Sequence, residues 1–297
     1  MNRILRALLL VAAFAAAPLE SQQAASARGT LYIVGGGPQP AALVREFVDL
    51  AGGPGKARIV VFAMASAYGL TGGEEKADQL RGLGAEARNV WVTREQAMTD
   101  SVARLLDGAT GVWFGGGDQG RLADVLRGTP TERAIHARYS AGAVIGGTSA
   151  GAAVMSAVML TGDERTPGGM RPDSTLSWVT IARENTITTD GFGLIGDVII
   201  DQHFLRRKRH NRLISLVLER APHLGAGIDE STALVVHADG TWSVRGASTV
   251  VIYDARQAAV TPAGQVLGAS GMRMHVLPAG STFDPRSGTA VLGPPPR

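Results

Sequence analysis

The chain has 297 residues, a formal net charge of +3, no cysteine and an aromatic content of 5%. The lack of cysteine excludes a disulfide framework, a thiolate metal site, a thiol nucleophile and a lipoprotein anchor. A charge this weak, with so few aromatic side chains, is not the basic stacking surface of a nucleic-acid binder, and no nucleic-acid partner is expected.

At the N-terminus, Arg3 and Arg6 precede an apolar run from Leu8 to Ala17, and Ala25-Ser26-Ala27 supplies an A-x-A cleavage pattern. Such a tripartite segment reads as a secretory signal peptide, and its apolar run is too short to span a membrane. Residues 1–27 are therefore read as the signal peptide and 28–297 as one domain. The protein is expected to be secreted or periplasmic, with no membrane attachment after cleavage.

Thr30–Val34 predicts a strand that runs into Gly35-Gly36-Gly37, and Leu43, Phe47 and Leu50 give Ala41–Leu50 a helical spacing. Arg58–Ala63 reads as the second strand, Glu74–Leu83 as a polar helix, Asn89–Val92 as the third strand and Glu95–Leu106 as a helix. Gly111–Phe114 is the fourth strand and ends in Gly115-Gly116-Gly117. Two short helices precede a buried strand over Ala141–Gly147, and Ala150–Ser156 begins another helix. Apolar strands alternating with amphipathic helices predict an α/β fold whose parallel sheet is covered on both faces. Working residues in such sheets collect at the carboxyl ends of strands.

Thr161–Trp178 is rich in Gly, Pro and charge and reads as a surface loop. Asp197–Asp201 predicts a strand and Asn211–Arg220 a helix. Ala233–Val236, Thr241–Val244 and Thr249–Ile252 make a β-rich part over about 231–283, followed by a proline-rich loose tail at 284–297. No internal repeat divides the chain.

The chemistry centres on Gly147-Thr148-Ser149-Ala150-Gly151. A serine between glycines, after an apolar strand and before a helix, is how a tight turn displays a nucleophile. The amide of Ala150, at the helix start, would face the oxyanion formed after attack, and amides of Gly116 and Gly117 could join it. Gly115–Gly120 also satisfies GxGxxG, but no acid follows about twenty residues on to hold a ribose. With that fingerprint set aside, no cofactor and no metal is expected, and Gln119 is free to reach a polar substrate group.

Among six histidines, His203 follows the apolar strand end at Asp201 and so lies on the same rim as Ser149. A carboxylate must hold its tautomer. Glu230, at the end of Gly225–Glu230, is one choice, and Asp163 and Glu164 are rivals. The run Arg206–Arg212 is the one dense basic cluster. Arg207, Arg209 and Arg212 would converge only if a helix starts near His210, and they would then suit a carboxylate-bearing substrate.

Together, GGGDQ at 115–119, GGTSAGAAVMS at 146–156, DQHF-x-x-R-x-R-x-x-R at 201–212 and GIDE at 227–230 resemble the cyanophycinases, in the serine peptidase family that includes aspartyl dipeptidase. The resemblance implies a three-layer α/β fold like that of class I glutamine amidotransferases, with a small β-rich C-terminal extension. It implies a triad of Ser149, His203 and Glu230, and substrate contacts from Gln119, Asp201, Gln202, Arg207, Arg209 and Arg212. The implied partner is an aspartate/arginine polymer or aspartyl peptides: cyanophycin has a poly-aspartate backbone with arginine amide-linked to each β-carboxyl, and such exopeptidases release β-aspartyl-arginine from it. A homodimer is left open. The alternatives from other classes are an aspartyl-peptide hydrolase with another substrate, a secreted serine esterase with the same elbow, and a non-catalytic polymer-binding protein.

Overall fold

The first half of the molecule alternates strand and helix: β1 (Leu31–Val34), α1 (Ala41–Leu50), β2 (Arg58–Phe62), α2 (Gly69–Gly82), β3 (Glu86–Asn89), α3 (Arg94–Ala97), α4 (Asp100–Ala103), β4 (Gly111–Phe114), α5 (Gln119–Leu126), α6 (Pro130–Ser140), β5 (Val144–Thr148) and α7 (Ala150–Ala153). The structure, a computed structural model, describes residues 29–166, 168–171 and 178–294. The signal peptide read at 1–27 lies outside the described residues. Strands β1, β4 and β5 are buried at every position, and β2 at all but Arg58, as strands covered on both faces must be. They pair in parallel in the order β1-β5-β4-β2-β3.

The second half is richer in strands: β6 (Val158–Thr166), β7 (Gly169–Arg171), β8 (Thr186–Asp190), β9 (Ile199–Asp201), α8 (His210–Glu219), β10 (Leu224–Ile228), β11 (Thr232–Val236), β12 (Trp242–Gly246), β13 (Thr249–Asp254), β14 (Ala259–Val260), β15 (Ala269–Ser270), β16 (Arg273–Pro278), β17 (Thr282–Asp284) and β18 (Thr289–Val291). Strand β11 pairs antiparallel with β1, and β12, β17 and β18 continue outward, so the main sheet has nine strands. A second sheet, in the order β16-β13-β10-β9, lies beside it.

Two cores hold the main sheet. On one face, Leu43 and Phe47 of α1 and Ala77 and Leu80 of α2 pack on Tyr32, Val61 and Trp113. On the other, Leu122 and Ile135 of α5 and α6, with Ile200, Ile228 and Ile252 of the second sheet, pack on Ile33, Phe62 and Ile145. Helix α8 covers the far side of the second sheet through Leu213, Leu216 and Val217. The α/β architecture expected from the sequence is present.

Several sequence expectations change. The β-rich C-terminal part adds β11, β12, β17 and β18 to the main sheet and β13 and β16 to the second. The loose tail read from residue 284 contains β18, which pairs with β17 in a hairpin anchored where Phe283 packs on Trp242 at 5.4 Å between ring centroids. The segment read as a loop from Thr161 is instead β6 and β7, which pair with β8 in a small sheet. Its charges misled the reading, since Glu164 and Arg171 are cross-strand partners that neutralise one another. The third strand falls at Glu86–Asn89, a polar edge strand, and not at Asn89–Val92. The helix expected over Glu95–Leu106 is broken at Thr99, which is extended at φ −94° and ψ 144°. Helix α7 stops at Ala153, and the hydroxyl of buried Ser156 stands within hydrogen-bond distance of both Ala153 O and Val158 O where the chain turns into β6.

Candidate active site

Ser149 is the residue between β5 and α7, at φ 55° and ψ −113°. A non-glycine residue in that region is strained, and such strain persists where the surroundings over-determine it. Here the Ser149 amide donates to Val34 O at 3.0 Å. The neighbouring glycines permit the turn: a Cβ on Gly147 would overlap the Gly151 carbonyl, and one on Gly151 the Phe114 carbonyl. Strand, turn and helix therefore touch through bare backbone.

His203 and Glu230 reach Ser149 from the second sheet. Strands β9 and β10 run parallel with Gly227 opposite Asp201, so the residues just past both strands emerge at one edge. His203 Nε2 stands 3.0 Å from Ser149 Oγ, and His203 Nδ1 stands 2.7 Å from Glu230 Oε1. With a carboxylate at Nδ1, the ring proton is assigned there, leaving Nε2 to accept from the serine hydroxyl. Burial is the main cause that lowers the His203 pKa below its ordinary value. The hydrogen bond to Glu230 opposes this, and the nearby Arg207 and Arg209 charges reinforce it. The imidazole is thus neutral near pH 7, the form a general base requires.

The Gly35–Gly37 turn seats both partners. His203 N donates to Gly35 O at 2.7 Å, and Ser231 N to Gly36 O at 2.9 Å. Gly36 and Gly37 have φ of 112° and 68°. A Cβ on Gly36 would overlap the imidazole, and one on Gly37 would lie 2.8 Å from Glu230 Oε2. Asp229 fixes the turn after His203: its Oδ1 accepts from the amides of Leu205 at 3.1 Å and Arg206 at 2.9 Å, and its Oδ2 from Ser248 Oγ at 2.8 Å. Sequence reasoning gave neither Asp229 nor the Gly35–Gly37 turn a role. The signal available was the placement of both at strand ends.

Gly116 faces the same turn, Gly117 follows it and packs on Ala65, and their amides donate no backbone hydrogen bond among the described residues. A Cβ built on Gly116 would lie 3.4 Å from Ser149 Cβ. Ala150 is the first residue of α7, where an amide has no intrahelical acceptor. These are the three groups read as oxyanion donors. Asp118 holds the loop by capping α5, its Oδ1 accepting from Gly120 N at 2.8 Å.

The residues expected at the substrate divide. Arg207 is half-buried and close enough to His203 to influence it. Asp201, Arg209 and Arg212 instead form a buried cluster. Arg212 Nε and Nη2 donate to the two oxygens of Asp201 at 2.8 and 2.5 Å, while Arg209 Nη1 donates to Gln202 O at 2.8 Å and lies 3.8 Å from Asp201. Two of the three guanidiniums thus converge on Asp201. A buried carboxylate needs a cation, and a guanidinium fork matches it in two bonds. Gln119 is also turned inward, its amide donating to Leu160 O and Thr161 O at 2.9 and 2.6 Å. Gln202 is buried, with an Oε1 that has no hydrogen-bond partner among the described residues. Of the rival acids, Glu164 pairs with Arg171, and the Asp163 amide donates to Thr161 Oγ1. Neither carboxylate is the one at His203.

The model of Peptidase family S51 matches residues 35–244. A cyanophycinase from Trichormus variabilis is 39% identical over 196 residues, which cover 64% of this chain and 62% of that protein. A cyanophycinase from Geminocystis herdmanii is 31% identical over 277 residues, 90% of this chain and 97% of that protein. The crystal structure of a peptidase from an acI-B1 Actinobacterium superposes with a TM-score of 0.59 at 24% identity, over 85% of this chain and 98% of that one, and shares the fold. On the family match and the near full-length likeness, the chain belongs to peptidase family S51, a family of serine-type peptidases.

Proposed function

We propose that this protein is an exported serine exopeptidase that hydrolyses cyanophycin to β-aspartyl-arginine. The observation that carries the reading is the hydrogen-bonded relay from Glu230 through His203 to Ser149 on a strained turn. His203 Nε2 takes the hydroxyl proton as Ser149 Oγ adds to an aspartyl carbonyl carbon. The oxygen that gains negative charge meets the amides of Gly116, Gly117 and Ala150. The imidazolium, stabilised by Glu230, returns its proton to the departing amine, and the C–N bond breaks to leave an acyl-serine. Water, deprotonated by the same histidine, then releases the acid and restores Ser149. Both cyanophycinase relatives support the polymer as substrate. The basic–apolar–A-x-A segment at 3–27 supports export, which N-terminal sequencing of the protein recovered outside the cytoplasm tests by finding a start near residue 28.

The test is turnover by the purified protein on insoluble cyanophycin, on aspartyl dipeptides and on a short-chain ester. Release of β-aspartyl-arginine from the polymer is expected. Turnover of the ester alone would make the protein an esterase, and adsorption to the polymer without products a binding protein.

A further inference from the structure

A cavity of about 470 Å3 opens on the α1–α2 side of the sheet edge, and none of the steps above uses it. It adjoins the nucleophile: Gly116 and Thr148 line it, and Thr148 immediately precedes Ser149. Val61, Ala63 and Trp113 give it apolar walls. Lys76 enters from α2. Its Nζ donates to Gln39 Oε1 at 2.5 Å and to Gln79 Oε1 at 2.9 Å, and stands 4.3 Å from the centroid of the Trp113 ring.

This is an incomplete arrangement. An ammonium has three donors, two of which are held here by neutral amide oxygens. The ring face adds attraction for a cation. Lys76 is half-buried, and no carboxylate pairs with it among the described residues. Burial accordingly pushes its pKa down to about 7. Thr148 Oγ1, in the same lining, is buried with no hydrogen-bond partner. The cavity therefore offers a fixed cation and a vacant hydroxyl beside the reacting serine, while Arg212 is already engaged by Asp201.

We propose that this cavity is a carboxylate subsite of the catalytic cleft, in which Lys76 takes the free α-carboxylate of an arginine branch of the substrate. The identity of the branch rests on the cyanophycin reading. The geometry of the subsite does not. Gln39 and Gln79 hold the ammonium in place, Trp113 and the apolar walls flank the methylenes of the branch, and Thr148 supplies a second donor. Charge-assisted hydrogen bonds of this kind contribute more than neutral ones.

The probes are β-aspartyl-arginine and the same dipeptide with its arginine carboxylate amidated, titrated calorimetrically into the Ser149→Ala protein. The free acid is expected to bind about tenfold tighter or better, the size of one hydrogen bond to a charged group. Lys76→Met in the same background should erase that preference and leave the amide's affinity unchanged. Thr148→Val should reduce it by a smaller factor. A readout without any change at Lys76 is pH: the preference should shrink from pH 6 to pH 9 as the free ammonium loses its proton, and the amide serves to cancel effects of His203. Glu75, the other ionisable residue of the lining, is checked by Glu75→Gln, which should keep this pH dependence. Equal binding of acid and amide, no binding of either, or a preference that survives Lys76→Met overturns the subsite. A wild-type protein that binds the acid through Lys76 yet leaves cyanophycin intact overturns the functional reading instead.

Discussion

Two cationic places lie near Ser149, and they are built on opposite principles. In the Asp201–Arg209–Arg212 cluster, the carboxylate lies between guanidiniums, all three side chains are buried, and Arg212 matches Asp201 in two bonds. At Lys76, the cation is held by amide oxygens and a ring face, and no carboxylate pairs with it among the described residues. In the first, the fold itself satisfies the carboxylate, with two guanidiniums to one carboxylate. The second needs a ligand to complete it. A basic run in a sequence therefore does not identify a ligand site until its internal anions are known. A single lysine on a polar helix can matter more.

The contrast is sharpest when the reacting groups are altered first. Ser149→Ala should lower kcat by about 10^4–10^6-fold, the range for removing a nucleophile from a serine triad, with an unchanged melting temperature. Cleavage at the wild-type rate would remove the triad from the account. Glu230→Gln should cost about 10^2–10^4-fold in kcat, with little change in binding, because it acts on the imidazolium of the transition state. Glu164→Gln should disturb the β6–β7 pairing and leave the rate of the folded enzyme near wild type. A larger loss at Glu164 than at Glu230 would reverse the assignment.

On the closed side, Arg212→Met should act through stability. It leaves Asp201 buried without its two-bond partner, a change that typically costs about 3–5 kcal/mol. Urea unfolding should show this loss. Protein still folded at low temperature should keep a near-normal KM for β-aspartyl substrates. A raised KM with unchanged stability would mean that Arg212 meets substrate and that the Asp201 cluster is not closed.

Much of this was legible in the residues, and the failures have physical causes. Apolar runs such as Leu31–Val34 and Gly111–Phe114 could only be buried strands, and glycine on both sides of Ser149 marked a turn with no room for side chains. The edge strand at Glu86–Asn89 lacked that signal, since one of its sides faces polar surroundings. The hairpin at β6–β7 was hidden because paired charges on facing strands look, in one dimension, like a solvated loop. The pairing of Asp201 with Arg212 was hidden for a related reason: an arginine's partner is set by the fold. Lys76 gave no sign at all. Its setting is assembled from Gln39 in the loop before α1, Gln79 beside it on α2 and Trp113 on β4.

Arg207 acts on His203, and its removal is the smallest of these effects and the one that separates roles most cleanly. Its charge is among the causes that hold the His203 pKa below the ordinary value, after burial. Arg207→Gln relieves a like-charge penalty on the imidazolium, so the His203 pKa should rise toward that of a free histidine. The reaction needs the neutral ring, so kcat/KM falls as pH drops through this pKa, and the acid limb of the profile should move to higher pH in the variant. At pH 5.5 the variant should be slower than wild type. At pH 8 both enzymes have a neutral His203, and the electrostatic effect should vanish. If Arg207 also holds a substrate carboxylate, KM rises at both pH values and the rise is absent for an uncharged ester. The pH–rate profile on cyanophycin and on the ester tells these apart. A limb that does not move, with KM unchanged on both substrates, would place Arg207 outside the site and leave Lys76 as the cation that meets the substrate.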